Sequence, residues 1–202
     1  LTIKELKGKM KKKLPGRAAH LAFSPLRNYQ MDTTNFKKAA VALHLLIREK
    51  EMRLLLIKRT AYNGAHSRQI AFPGGKYDPG DLDLEDTARR ESLEEVGMPM
   101  NQGEFIGELS EVLIPVSSFS VTPFVFVHKE YPQFVKEDRE VQEVLDCNLN
   151  ELDTFKFKTF QNVRARKGMI INGVPGIDYE GHFIWGATAL ILHEFNTILK
   201  MK

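Results

Sequence analysis

The chain has 202 residues, of which 43% are hydrophobic and 27% charged, with a formal net charge of +3. That length suits one domain, 1–202, with a sizeable core, and no apolar run approaches the roughly 18 residues that a membrane helix needs. Cys147 is the only cysteine, which excludes an internal disulfide and makes the cytoplasm, with no membrane partner, the expected setting.

The N-terminal stretch carries Lys4, Lys7, Lys9, Lys11, Lys12 and Lys13, with Ile3, Leu6 and Met10 at helical spacing. It lacks the apolar centre and small-residue cleavage site of a secretory signal. A basic arm for nucleic acid is one reading; a solvated amphipathic helix with the three apolar residues turned inward is preferred, because charge runs are commonly exposed faces. Leu14-Pro15-Gly16 ends that pattern, and Arg17 to Gln30, containing Pro25, reads as a long irregular segment. Residues 1–38 are thus expected to form a helix and a wrapping piece.

Ala39 to Ile47 and Arg53 to Lys58 are apolar runs around the polar Glu49-Lys50-Glu51, an antiparallel hairpin. His44 within the first run is read as structural. A polar loop, Arg59 to Arg68, leads to a short extended piece, Gln69 to Phe72. Further on, Phe105 to Leu109 and Glu111 to Pro115 read as extended, and Val121 to Val127 as a strong strand in which Pro123 implies an edge or a bulge. Glu140 to Leu145 reads as a short strand or turn. Asn172-Gly173 and Pro175-Gly176 are turn signals within a hairpin over Asn162 to Ile184, and an amphipathic helix runs from Trp185 or Gly186 to Leu199. No internal repeat or composition shift divides the chain. Sheet segments flanked by helices give an α/β layered fold with a mixed sheet.

The stretch between these elements is the most informative. Phe72-Pro73-Gly74-Gly75 is followed by Lys76 to Asp81, then by a helix from about Leu84 to Val96, with Asp83 as N-cap, Gly97 as C-terminal stop and Pro99 beyond it. Glu91, Glu94 and Glu95 stand at i, i+3 and i+4, so they project together from the last two turns. Acids there oppose the helix dipole, and a hard divalent cation, Mg²⁺ or Mn²⁺, would offset the repulsion. A solvated acidic face partnered by Arg89 and Arg90 is the alternative. A calcium loop fails, because Asp86 stands where Gly is needed and Ser92 where a closing acid is needed. The chain also lacks a Gly-Lys-Ser/Thr phosphate loop and a cysteine set for zinc.

Gly75, five residues, Asp81, eight residues, then Arg90-Glu91-Ser92-Leu93-Glu94-Glu95-Val96-Gly97 resembles the signature of the Nudix hydrolases, which cleave diphosphates linked to a nucleoside or other group. It departs from that signature in having Asp81 for a Glu, one extra residue before Arg90, and Ser92 at a normally apolar position. Phe72-Pro73-Gly74-Gly75-Lys76 with Asp78, Asp81 and Thr87-Ala88 is similar to the coenzyme A pyrophosphatase-like branch, as are Leu14-Pro15-Gly16-x-Ala18-Ala19-His20, Val121 to Val125, Glu140-Val141 and Ile184-Trp185-Gly186-x-Thr188-Ala189. The upstream signature of that branch is met by Leu55-Leu56 and Arg59. It is not met at Ile57, at Gly64 (where an Arg is expected) or at Arg68 (where a Gly is expected).

The resemblance implies a Nudix-like α/β/α sandwich and a metal-dependent diphosphatase acting on a nucleotide conjugate, foremost coenzyme A or an acyl-coenzyme A. Another dinucleotide or sugar nucleotide, or a non-catalytic nucleotide sensor, is the alternative. It also implies that Gly75, Glu91, Glu94 and Glu95 hold Mg²⁺ or Mn²⁺, that Glu91 or Glu140 serves as base, and that Arg90 orients the carboxylates. Arg59, Arg68, Gly74 and Lys76 are the expected substrate contacts. The wrapping segment and the terminal helix leave room for a homodimer.

Overall fold

The computed structural model describes residues 1–24, 30–61, 68–153, 156–164 and 170–201. In chain order the elements are α1 (Ile3–Met10), α2 (Gly16–Phe23), β1 (Lys37–Arg48), β2 (Glu51–Arg59), β3 (Ile70–Ala71), β4 (Gly74–Lys76) and α3 (Leu84–Val96). Then come β5 (Glu104–Glu108), β6 (Val112–Ile114), β7 (Phe119–His128), β8 (Val141–Asn148), a 3-10 turn (Leu149–Asp153), β9 (Lys156–Phe160) and β10 (Val163–Arg164). β11 (Ile170–Ile171), β12 (Val174–Tyr179), β13 (His182–Trp185) and α4 (Gly186–Lys200) complete the chain.

The main sheet is mixed. β1 runs parallel to β7, from Lys37 against Phe119 to Leu46 against His128, and antiparallel to β2 and β4; β5 and β6 continue it beyond β7, β3 and β8 beyond β2. The side chains alternate with the period of two that a strand imposes. Leu43, Leu45, Leu54, Leu56, Val125 and Val127 pack on one face with Leu190, Ile191, Phe195 and Ile198 of α4 and Leu6 and Met10 of α1. Leu46, Leu55 and Ile57 face the other way, against Val96 of α3. There Ala40 and Ala42 lie in one cluster with Ala88, and their small side chains let α3 approach the sheet closely. The result is the expected α/β/α sandwich.

The lysine-rich start is a helix tied to the fold. Thr2 and Glu5 form a reciprocal cap, Lys7 pairs with Glu104, and Lys9 donates to the carbonyls of Leu199 and Met201. Arg17 to Phe23 is not irregular but helical. Its stability comes from α4: buried Glu194 bonds His20 Nε2 at 3.0 Å and the Gly16 N–H at 3.1 Å. Pro25 lies outside the described residues.

Pro123 lies within the sheet rather than on an edge. On that side β7 exchanges one neighbour for another: β6 pairs as far as Val121 and β5 begins at Phe124, so the proline falls in the gap. Pro175-Gly176 is not a turn but part of β12, where Gly176 makes room for the Phe183 ring; the turn lies at Glu180-Gly181. Glu140 to Leu145 belongs to β8 from Val141 onward. No described helix is long and apolar enough to cross a membrane.

Candidate active site

Asp83 caps α3 by accepting the Asp86 N–H at 2.9 Å, and Gly97, at φ 70°, ends it with an N–H bond to the Leu93 carbonyl. The helix therefore starts and stops where its local signals place it. Its last turn holds acids and no basic residue, against the helix dipole. Part of the compensation comes from backbone donors: the N–H groups of Val135 and Glu137 bond the carbonyls of Val96 and Glu95 at 3.1 and 3.0 Å. The rest comes from two arginines.

Arg90 joins three carboxylates. Nε and Nη2 grip Asp81 at 2.7 and 3.1 Å, and Nη1 reaches Glu91 at 3.0 Å and Glu94 at 3.2 Å. Nη2 also donates to the Lys76 carbonyl at 3.1 Å, which ties the helix to β4. Asp81 in turn accepts the Asp78 N–H at 3.0 Å and the Thr87 hydroxyl at 2.7 Å. The Arg90 fork, with these donors, holds the Asp81 carboxyl far below the usual carboxylate range. Asp81 belongs to the quoted motif, yet nothing in its spacing shows that it anchors Arg90.

Glu95 is 1% exposed. It accepts the Gly74 N–H at 2.9 Å and Arg59 Nη1 at 3.0 Å. Burial pushes its carboxyl up to about 7 against the pull of Arg59 and Gly74, with Glu91 and Glu140 adding repulsion. Glu91 lies against Gly75, where a Cβ would sit well inside contact distance of its carboxylate. Burial also raises Glu91, with Arg90 opposing and Glu94 and Glu140 adding to the rise. Glu94 is more than half exposed.

Gly74 fits β4 against β1 so closely that a side chain would meet the Ala40 carbonyl. Glu140 stands on the exposed turn before β8, with its carbonyl bonded by the Thr60 N–H at 2.9 Å, and its charge is felt at Glu91 and Glu95. Of the expected substrate contacts, Arg59 is paired with Glu95, though its Nε is buried without a partner among the described residues. Lys76 is exposed at the end of β4. Arg68, at φ 57°, is exposed and donates its N–H to the Thr60 carbonyl, and Gly64 lies outside the described residues.

A divalent metal can be tested against this donor set. Glu91, Glu94, Glu95, Glu140 and the Gly75 carbonyl offer hard oxygen ligands, and Glu91 and Glu95 are raised chiefly by burial, with neighbouring carboxylates adding to the rise, a penalty on the charged forms that a cation would relieve. The chemistry fits. Among the described residues no three such side chains already converge on one point, and Arg90 Nη1 lies between Glu91 and Glu94.

Because Glu95 has a folded value above its unfolded one, the folded state keeps a proton that the unfolded chain releases. Wild-type protein is therefore expected to lose stability relative to Glu95→Gln as pH rises from about 4.5 to about 7, and no further above that. Thermal unfolding of both proteins across that range checks it; parallel curves would show that Glu95 titrates normally.

The NUDIX domain profile matches residues 37–169. Proteins of Yersinia enterocolitica and Yersinia pestis, each named as uncharacterized Nudix hydrolase NudL, are 34% identical over 162 and 167 residues, covering 80% and 83% of this chain and 81% of each relative. The solved MutT protein of Methanosarcina mazei Go1 shares the fold at a TM-score of 0.53 and 18% identity, over 82% of this chain and 96% of that one. With the glycine loop, the Arg90 clasp and the acidic helix all inside the matched region, the chain belongs to the Nudix hydrolases, enzymes that act on pyrophosphate bonds.

Proposed function

We propose that the protein hydrolyses the pyrophosphate bond of coenzyme A or an acyl-coenzyme A, releasing adenosine 3′,5′-bisphosphate and a phosphopantetheine product. The observation that carries the reaction class is the acidic surroundings of Gly74-Gly75: Glu95 bonds the Gly74 N–H, Glu91 lies against Gly75, Glu94 shares Arg90 with Glu91, and the charge of Glu140 is felt at Glu91 and Glu95. The substrate rests on the similarity of the glycine loop and flanking segments to the coenzyme A pyrophosphatase-like branch.

Glu91, Glu94, Glu95 and the Gly75 carbonyl are the residues that would hold Mg²⁺ or Mn²⁺. Such a cation neutralises charge on the diphosphate and lowers the pKa of water. Glu91, with its raised carboxyl, takes the proton as water adds to phosphorus and the bridging P–O bond breaks; Glu140 is the second choice for that role. Arg90 positions the acids rather than touching substrate. Arg59, Lys76 and Arg68 are the proposed donors to phosphate oxygens; Arg59 already pairs with Glu95, and Lys76 and Arg68 are exposed. The proposed partner is a small nucleotide in the cytoplasm rather than nucleic acid, a reading supported by Lys7 and Lys9 of α1 being engaged within the fold. A homodimer remains part of the proposal.

Arg68 and Gly64, which depart from the upstream signature, favour a second reading in which another dinucleotide or a sugar nucleotide is cut. Incubation with Mg²⁺ or Mn²⁺ and a panel of coenzyme A, ADP-ribose, NADH and diadenosine polyphosphates separates the two. Coenzyme A cleavage, falling by roughly 10²-fold in Glu94→Gln, is expected. Turnover of a different compound alone would replace the substrate. A mutant at wild-type rate would remove the metal assignment, and no turnover at all would favour a nucleotide sensor.

A further inference from the structure

Ser92 occupies a place where the family motif carries an apolar side chain, and it is fully buried. Its Oγ is 2.8 Å from His44 Nε2, and His44 Nδ1 is 2.8 Å from His128 Nε2. Three polar side chains from α3, β1 and β7, none more than 3% exposed, thus form one line between helix and sheet.

Counting protons fixes the direction of that line. The Ser92 hydroxyl has a single hydrogen, which it donates to the Ala88 carbonyl at 2.6 Å. Ser92 must therefore accept from His44, so the Nε2 of His44 carries a proton. Burial, with the neighbouring His128 and Arg89, holds His44 well below the usual imidazole range, which leaves its Nδ1 as a lone pair. His128, pushed down to about 4 by burial and then by Arg89, is neutral too and donates from its own Nε2. Every hydrogen bond then points the same way: His128 to His44, His44 to Ser92, Ser92 to Ala88. Gly103 closes the far side, since a Cβ there would strike the His128 ring.

We propose that this one-directional chain sets the rotation of α3 about its axis and so places Glu91 and Glu95, making Ser92, His44 and His128 positioning residues. The proposal rests on the reading of Glu91 and Glu95 as working acids. Residues flanking Ser92 by one and by three positions share its helix turn, so they rotate with it. A carboxylate about 6 Å from the axis moves about 1 Å for each 10° of helix rotation, and misplacement of about 1 Å is enough to cost about 10²-fold in rate. An apolar contact at Ser92 would tolerate sliding; a hydrogen bond near 2.8 Å in a dry site does not, because a buried donor left unpaired is costly. Arg89 complements it. Its guanidinium bonds the carbonyls of Met100, Gln102 and Gly103 and lies 4.3 Å from the Phe126 ring centroid, which holds the earlier part of α3.

The test joins a spectroscopic and a functional arm. Long-range ¹⁵N–¹H NMR of the full chain at pH 7 is expected to show His44 and His128 both as neutral Nε2–H tautomers; an Nδ1–H tautomer or an imidazolium at His44 overturns the chain. Ser92→Ala is expected to weaken Mn²⁺ binding, read by EPR, at least tenfold and to lower kcat ten- to a hundredfold with KM within twofold, while Ser92→Thr, which keeps the hydroxyl, recovers most of both. A folded Ser92→Ala protein with wild-type Mn²⁺ affinity and kcat, changed only in Tm, shows a merely structural role and overturns the proposal. If Ser92→Ala does not fold, the tautomers and the Ser92→Thr values decide. If wild-type protein binds Mn²⁺ but cleaves no diphosphate, the proposed reaction fails while the Mn²⁺ and tautomer arms still judge the positioning role.

Discussion

Gly75→Ala is expected to fold and to lose turnover by roughly 10²-fold, because the new methyl takes the space of the Glu91 carboxylate. What it meets is the end of a flexible side chain, so the fold adapts by turning Glu91 aside at a cost of about 1 kcal/mol. Gly74→Ala is expected to behave in the opposite way. There the methyl meets the Ala40 carbonyl and the Val41 backbone across the β4–β1 pairing, at φ 153°, where neither neighbour can withdraw. Its cost should reach about 3 kcal/mol or more, read as a fall in the urea midpoint. Adjacent glycines thus separate chemistry from stability. Gly75→Ala with wild-type turnover would remove Glu91 from the working site.

Arg90→Ala is expected to lower stability by about 2–3 kcal/mol and turnover by about 10²- to 10³-fold, because Asp81, Glu91 and Glu94 lose their common partner and Asp81 is left buried and uncompensated. The figure sits below that for a fully buried pair since Arg90 is about a quarter exposed. Arg90→Lys keeps the charge but not the fork, so it should recover stability in part and turnover little. The pH dependence has a definite sign. Asp81 is depressed in the folded state, so its contribution is complete above the unfolded value near pH 4 and fades as pH falls below it. The stability gap between wild type and Arg90→Ala should therefore be full at neutral pH and narrow below about pH 4; a gap that widens in acid would contradict the Arg90–Asp81 pairing.

What was legible in the sequence follows from how local each signal is. The bounds of α3 come from Asp83, Gly97 and Pro99, all within three residues of the helix ends, and they stand where expected. The acids at i, i+3 and i+4 were equally plain. The α2 helix was hidden because Pro15 and Gly16 look like breakers, while the force that stabilises it, Glu194, lies at the other end of the chain. Arg59 reads as a phosphate contact because it is a cation near the glycines; that it also pairs with Glu95 depends on the sheet bringing the end of β2 within reach of α3, which no local spacing encodes. His44 reads as structural, since no second histidine stands at ligand spacing in the sequence. Its companion, His128, reaches it through the parallel register of β1 and β7, and no sequence spacing encodes that.

That same parallel pairing governs when the site comes into being. Lys37 against Phe119 and Leu46 against His128 enclose α3 and both glycines within the chain that must close before β1 and β7 meet. Closing so long a segment costs entropy ahead of any contact that rewards it, so the β1–β7 pairing is expected to form late in folding. The acidic helix can flicker into existence early from its own caps, but the Gly74 bond, the histidine chain and the Glu140 turn all wait for the sheet. A form of the chain in which β1 and β7 are apart is therefore expected to lack the Gly74–Glu95 bond and the histidine chain, and with them diphosphatase activity.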